Sequence, residues 1–371
     1  LAPRVRLWPT QDHIPVLVEL RAKQRWYTST PASTLSLSAM QMAYSAPEGA
    51  SLRRQFAFAH AQALRNAEQA GPLSWDAYET LLKTALSDAG VEARLAMDIP
   101  ADQVDYIVYA PNSEVQDFTA FTRTKAVLNL WAGVENVVGN PTLTQPLARM
   151  VDEGLTRGMV EWVTGHTLRH HLNTDVHVLN QDGVWRKDIP PLACDRPVTI
   201  LGLGALGQAC AQALAQLGFP VTGWSSSPKS VEGITCLSGD TGLQDALSNA
   251  AIVILLLPAT PDTANIVNSE TLAMLPHGAV MINPGRGSLI DDTALLEALD
   301  NGQIAQATLD VFRTEPLPAD HPYWAHPKVT VTPHIASETR PASAARVIAE
   351  NIRRGEAGEP FLHLVDRDKG Y

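Results

Sequence analysis

Beyond Pro197 the chain repeats one unit, a short and almost purely apolar run followed by a helical stretch. The runs fall at residues 198–203, 221–224, 252–257, 280–283, 307–310 and 329–332. The helix predicted at 292–299 shows the intervening type, opening on acids and ending before Gly302. Strands that are apolar at successive positions need cover on both faces, and helical crossovers make them parallel. The fold class is therefore α/β with a doubly wound parallel sheet. A smaller α/β layer is predicted upstream, from an amphipathic helix at 76–89 stopped by Gly90 and strands at 106–110 and 126–130. A long helix over 154–172, a break at Pro190-Pro191 and a last helix over 343–354 complete the pattern.

The chain of 371 residues has room for two domains. Its 45% hydrophobic content can fill two cores, and its formal net charge of −11 argues against nucleic acid or an anionic membrane as partner. Residues 1–70 stand apart, with eight Lys and Arg against four acids. A strand at 14–20, a loop at 28–51 and a helix at 56–70 are expected there. Three cysteines without metal-ligand spacing point to a reducing compartment. With no leader-like opening and no apolar run long enough to span a bilayer, the expected localisation is cytoplasmic.

Gly202-Leu203-Gly204-Ala205-Leu206-Gly207 follows the first apolar strand and opens a helix. Gly202 suits a tight turn, Gly204 lets backbone approach a pyrophosphate, and Gly207 lets helix pack closely on strand. N–H groups at Ala205 and Leu206 then face the anion. A tight turn that binds nothing is the bland alternative, but the strand before and the helix after supply the context of a dinucleotide site. The next strand ends at Trp224, where an acid would hold the ribose of NAD. The chain reads Ser225-Ser226-Ser227-Pro228-Lys229 instead. Hydroxyls and one ammonium suit a 2′-phosphate, so NADPH (NADP) is the expected cofactor, with NAD the alternative. Leu257 and Pro258, and then Asn283, Pro284 and Gly285, end later strands and are assigned to the same cleft.

Three charged side chains also follow strands. Arg286 lies in Asn283-Pro284-Gly285-Arg286-Gly287, Glu315 in the run from Asp310 to Pro316, and His334 in Thr332-Pro333-His334. In an open α/β sheet the carboxyl ends of strands converge on the ligand crevice. An Arg that can fork onto carboxylate and carbonyl oxygens, a His that can give a proton and a Glu that orients it are the parts needed to reduce a 2-keto acid.

In this order the Gly-rich turn, the Gly-Arg-Gly loop, the Asp-Val-Phe-x-x-Glu-Pro run and the Pro-His resemble the D-isomer-specific 2-hydroxyacid dehydrogenase family. Thr339-Arg340-Pro341 and the tail from Val365 to Tyr371 resemble, more narrowly, its glyoxylate/hydroxypyruvate reductase A branch, over about residues 75–371. The resemblance implies Arg286, Glu315 and His334 as catalytic residues. It also implies substrate binding at Trp131, Ala132, Gly133 and Val134, and contact of Asp310 with the nicotinamide amide. It further implies a dinucleotide-binding Rossmann domain over 154–335 and a flavodoxin-like substrate domain from 75–153 and 336–371. The implied partners are a small 2-keto acid and a second copy of the chain in a homodimer. The implied reaction is reduction of glyoxylate or hydroxypyruvate to glycolate or D-glycerate. The rivals are an NADH-dependent dehydrogenase of another substrate and a nucleotide-sensing binding protein on the same fold.

Two departures stand out. Ser226 replaces an Arg common in relatives, leaving Lys229 as the main cation. Relatives also begin with an apolar strand just before the helix at 76–89, and residues 66–73 do not resemble one. Residues 1–74 are therefore expected to be a segment of unknown role, a non-homologous replacement or a mis-set start. His166, His170, His171 and His177 lack the glutamate of a zinc-helix motif, so no metal is expected. Trp131 and Trp324 are candidates for shaping a substrate pocket.

Overall fold

A computed structural model describes residues 54–59, 75–111, 113 and 115–371. The strand expected at 14–20, the loop at 28–51, residues 60–70 of the expected helix and the stretch 66–73 lie outside the described residues. All described elements fall in one unit, Arg53–Tyr371.

The first sheet contains β1 (Arg54–Ala59), β2 (Ala93–Ala96), β3 (Tyr106–Tyr109), β4 (Ala126–Asn129) and β5 (Leu147–Ala148). Its order is β2-β1-β3-β4-β5 and every pairing is parallel, the flavodoxin-like arrangement. β1 corrects two expectations. Residues 56–59 are strand where the sequence predicts a helix, and the small sheet does have its inner strand, supplied from within residues 1–74. Phe56 pairs with Leu95 on one side and Tyr106 on the other. A four-residue apolar run does not reveal its own period, and ladder bonds to two neighbours override the helical preference of its alanines. Helix α1 (Trp75–Asp88) buries Tyr78, Leu82, Ala85 and Leu86, spaced as one helical face.

The second half opens with α2 (Glu153–His171), whose N-cap Asp152 accepts the Gly154 and Leu155 N–H groups, and the short α3 (Thr174–Leu179). Seven parallel strands follow: β6 (Val198–Leu201), β7 (Val221–Ser225), β8 (Thr235–Ser238), β9 (Ile252–Leu255), β10 (Ala279–Asn283), β11 (Ile304–Leu309) and β12 (Val329–Val331). Their order is β12-β11-β10-β9-β6-β7-β8. Helices α4 (Ala205–Gln216), α5 (Gly239–Ser248), α6 (Ser269–Met274) and α7 (Asp292–Asp300) form the crossovers. β9 shows why the sequence runs are unbroken. Ile252 and Ile254 pack toward Met159, Val163 and Leu214, while Val253 and Leu255 pack toward Leu247, Leu272 and Leu295. Each such side chain contributes about 1.5–3 kcal/mol by leaving water.

The last helix, α8 (Pro341–Ala357), returns to the first sheet, where Ala344, Ala345, Ile348 and Ile352 join Tyr78 and Leu82 in one core. Among the described residues no helix is long and apolar enough to cross a membrane.

Candidate active site

The strand order turns back between β6 and β9, which opens a crevice at their carboxyl ends. The Gly-rich turn sits there. Gly202 has φ +111°, and a β-carbon on it would press into the Leu256 backbone. A β-carbon on Gly207 would run into the Gly202 carbonyl. Gly204 differs: nothing lies within 4 Å of where its β-carbon would be, and as N-cap of α4 it brings no side-chain cap to the first turn at Ala205 and Leu206. An uncapped helix start facing open space fits a pyrophosphate. Beyond β7, the buried Ser225 gives its hydroxyl to the Ser227 carbonyl at 2.8 Å, so it shapes the turn. Ser226 and Lys229 are exposed. Leu257 is buried, and the half-buried Pro258 accepts the Thr263 hydroxyl.

Asn283, fully buried at the end of β10, builds the arginine loop. Its Oδ1 accepts the Gly285 N–H at 3.0 Å and its Nδ2 donates to the Arg286 carbonyl at 2.9 Å. Pro284 is buried, and a β-carbon on Gly285 would lie 2.7 Å from the Leu255 carbonyl oxygen. The loop is thus pinned from beneath, and the half-buried Arg286 side chain projects from it. Nη1 donates to the Gly285 carbonyl at 2.7 Å, and Nε donates to the Glu135 carboxylate.

His334 follows β12 with φ +53°, a left-handed conformation rare for a residue with a side chain. Asp310 holds it there. Its carbonyl accepts the His334 N–H at 2.8 Å. Its fully buried carboxylate accepts the Thr332 hydroxyl and the Ile335 and Ala336 N–H groups. The half-exposed imidazole meets Glu315, with Nδ1 and Oε2 2.7 Å apart, while Oε1 of Glu315 accepts the Phe312 N–H at 2.8 Å. The bond to Glu315 raises the His334 pKa above the ordinary imidazole value, against the effects of burial and the Arg286 charge. Burial pushes the Glu315 carboxyl upward, yet its bonds to His334 and Phe312 and the Arg286 charge bring it below the usual range.

Across from these groups, Asn129 at the end of β4 donates to the carbonyls of Trp131 and Gly133 at 2.9 and 3.0 Å. This turns the carbonyls inward along the loop Trp131, Ala132, Gly133 and Val134. Asn129 and Glu135 are site residues that the sequence alone does not single out. Asn129 carries a faint signal, as the one polar residue in the apolar stretch 126–130.

The helix histidines pack internally. His170 bonds Gln306 and Thr308 at 2.7 and 2.8 Å, His171 lies edge-on to Phe219, and His166 lies against Trp162. Trp324 is half exposed and donates to the Pro318 carbonyl.

Residues 165–336 match the family model for the NAD binding domain of D-isomer specific 2-hydroxyacid dehydrogenases. A glyoxylate/hydroxypyruvate reductase A of Serratia proteamaculans is 40% identical over 282 residues, which span 74% of this chain and 89% of that protein. Among solved structures, a D-isomer specific 2-hydroxyacid dehydrogenase of Xanthobacter autotrophicus in complex with NADPH and MES is 41% identical, with a TM-score of 0.74. That match covers 79% of this chain and 96% of that one. An NADPH-dependent glyoxylate/hydroxypyruvate reductase of Sinorhizobium meliloti with NADP and sulfate is 35% identical, with a TM-score of 0.71 and the same coverages. By sequence and fold together, this chain belongs to the D-isomer specific 2-hydroxyacid dehydrogenase family, in its glyoxylate/hydroxypyruvate reductase A branch.

Proposed function

We propose that this chain catalyses NADPH-dependent reduction of glyoxylate and hydroxypyruvate to glycolate and D-glycerate. The observation that carries the reading is the His334–Glu315 pair, its imidazole held proton-ready within the field of Arg286. The names of the Serratia and Sinorhizobium relatives, and the NADPH and NADP in the solved complexes, support it. Reduced nicotinamide, when bound, supplies the hydride that reaches the keto carbon. Arg286 and the N–H groups of Ala132, Gly133 and Val134 bind the substrate carboxylate, and the guanidinium also polarises the keto oxygen. Glu315 fixes the imidazole through Nδ1, so Nε2 gives its proton to the oxygen as negative charge develops there. Asp310 positions the histidine turn; its carboxylate is fully buried and committed to that turn, so it does not present itself to the nicotinamide amide as the resemblance implies. Ser226 and Lys229 offer donors to a 2′-phosphate.

In this reading the first sheet with α1 and α8 is the substrate half, and residues 154–335 are the cofactor half. A homodimer is supported by the apolar side chains on α3 and the segment after it, where Leu179, Trp185 and Ile189 are 80%, 94% and 72% exposed. Three unpaired cysteines suit the cytoplasm.

The test is a panel of 2-keto acids assayed with each reduced nicotinamide. The expected result is the highest kcat/KM for glyoxylate and hydroxypyruvate with NADPH. A large NADH preference would overturn the cofactor assignment. Tight NADPH binding without turnover of any 2-keto acid would favour a nucleotide sensor.

A further inference from the structure

Glu135 stands two residues past Gly133 and reaches back over the loop that faces Arg286. Its carboxylate takes the Arg286 Nε–H. Burial pushes this carboxyl upward, but Arg286 and the N–H groups of Val134 and of Glu135 itself bring its pKa below the usual range. A β-carbon on Gly133 would collide with Arg286 Nη2 and lie 2.6 and 2.9 Å from the two Glu135 oxygens. The side-on edge of the guanidinium and a carboxylate therefore meet over the bare Cα of Gly133. This is the place where the proposed function puts the carboxylate of a 2-keto acid.

We infer that Glu135 is an internal competitor for the substrate-carboxylate subsite and so sets the affinity for 2-keto acids, an inference that rests on the proposed function of Arg286. Nη1 is turned to the Gly285 carbonyl, so the Nε–Nη2 edge is the one that can fork onto a second carboxylate, and Glu135 closes it. A substrate anion entering beside it meets a like charge on the same cation, so Glu135 gives up the edge and moves toward solvent. That movement is open to it, because its side chain is 35% exposed. Arg286 has supports besides Glu135. Asn283 holds its carbonyl, and the Gly285 carbonyl holds Nη1.

The experiment compares Glu135→Gln, Glu135→Asp and Arg286→Ala with the parent in steady-state reduction of glyoxylate by NADPH, with thermal melts of each. Removing the competing charge in Glu135→Gln lowers KM by about three- to tenfold, with a smaller change in kcat. Glu135→Asp, one methylene shorter, gives a smaller fall. Should either variant melt early, the other still reads the direction of KM. A KM that is unchanged or raised in the folded variants, with Arg286→Ala strongly impaired, overturns the competition and makes Glu135 a support for Arg286. A kinetically normal Arg286→Ala overturns the reading of the subsite itself.

Discussion

Glu315 Oε2 lies 2.7 Å from His334 Nδ1, and this bond is the leading reason the imidazole keeps its proton above the ordinary imidazole pKa. Reduction needs the protonated ring, so turnover holds through the pKa of a free imidazole, about 6.5, and fades as pH rises through the raised value. Glu315→Gln removes the main cause of the shift, so the alkaline limb of the kcat/KM profile moves to lower pH. A limb at the same pH in that variant would separate Glu315 from the proton donor.

His334→Gln keeps a polar side chain but cannot carry the proton. Turnover of glyoxylate should fall by roughly 10²–10⁴, the range for loss of a general acid. NADPH affinity, followed by nicotinamide fluorescence, should change little. Near-parental turnover would remove His334 from the role.

Asp310 is a fully buried carboxylate accepting from one hydroxyl and two N–H groups of the turn that carries His334. Asp310→Asn points an amide donor at groups that are themselves donors. The expected cost is about 1–3 kcal/mol in urea unfolding, with reduced turnover because the left-handed His334 loses its anchor. An unchanged unfolding midpoint would contradict this account of the turn.

Gly207→Ala tests the dinucleotide turn, since the added methyl meets the Gly202 carbonyl and must push α4 from β6. NADPH binding should weaken by about tenfold or more. Binding at parental strength would mean that the turn does not grip the pyrophosphate.

Lys229 is the cation nearest in sequence to the β7 turn. Lys229→Ala should lower kcat/KM with NADPH by up to about tenfold and leave NADH nearly untouched, and Ser226→Arg should act in the opposite direction. Equal effects on both cofactors would mean that Lys229 and position 226 do not contact a 2′-phosphate.

Local chemistry marked six of the seven strands in the second half of the molecule, while the edge strand β8, with exposed and half-buried residues at 235–238, leaves no apolar run to read. Strands buried on both faces leave unbroken apolar runs such as 252–255, and turns that tolerate only glycine leave Gly202 and Gly207, so both are written in local chemistry. Arg286, Glu315 and His334 were legible for the same reason, since each follows a strand whose carboxyl end must face the crevice. Packing between distant segments set what local patterns leave open. β1 is a strand because β2 and β3 lie on either side of it, although its residues read equally well as a helix. The commitment of Ser225 to its own turn, the support of the loop by Asn129 and the meeting of Glu135 with Arg286 are contacts across turns or between lobes. Ser225 and Asn129 act within turns whose backbone course the residue types do not reveal, whereas Glu135 and Arg286 lie on opposite sides of a crevice that exists only once both sheets have formed.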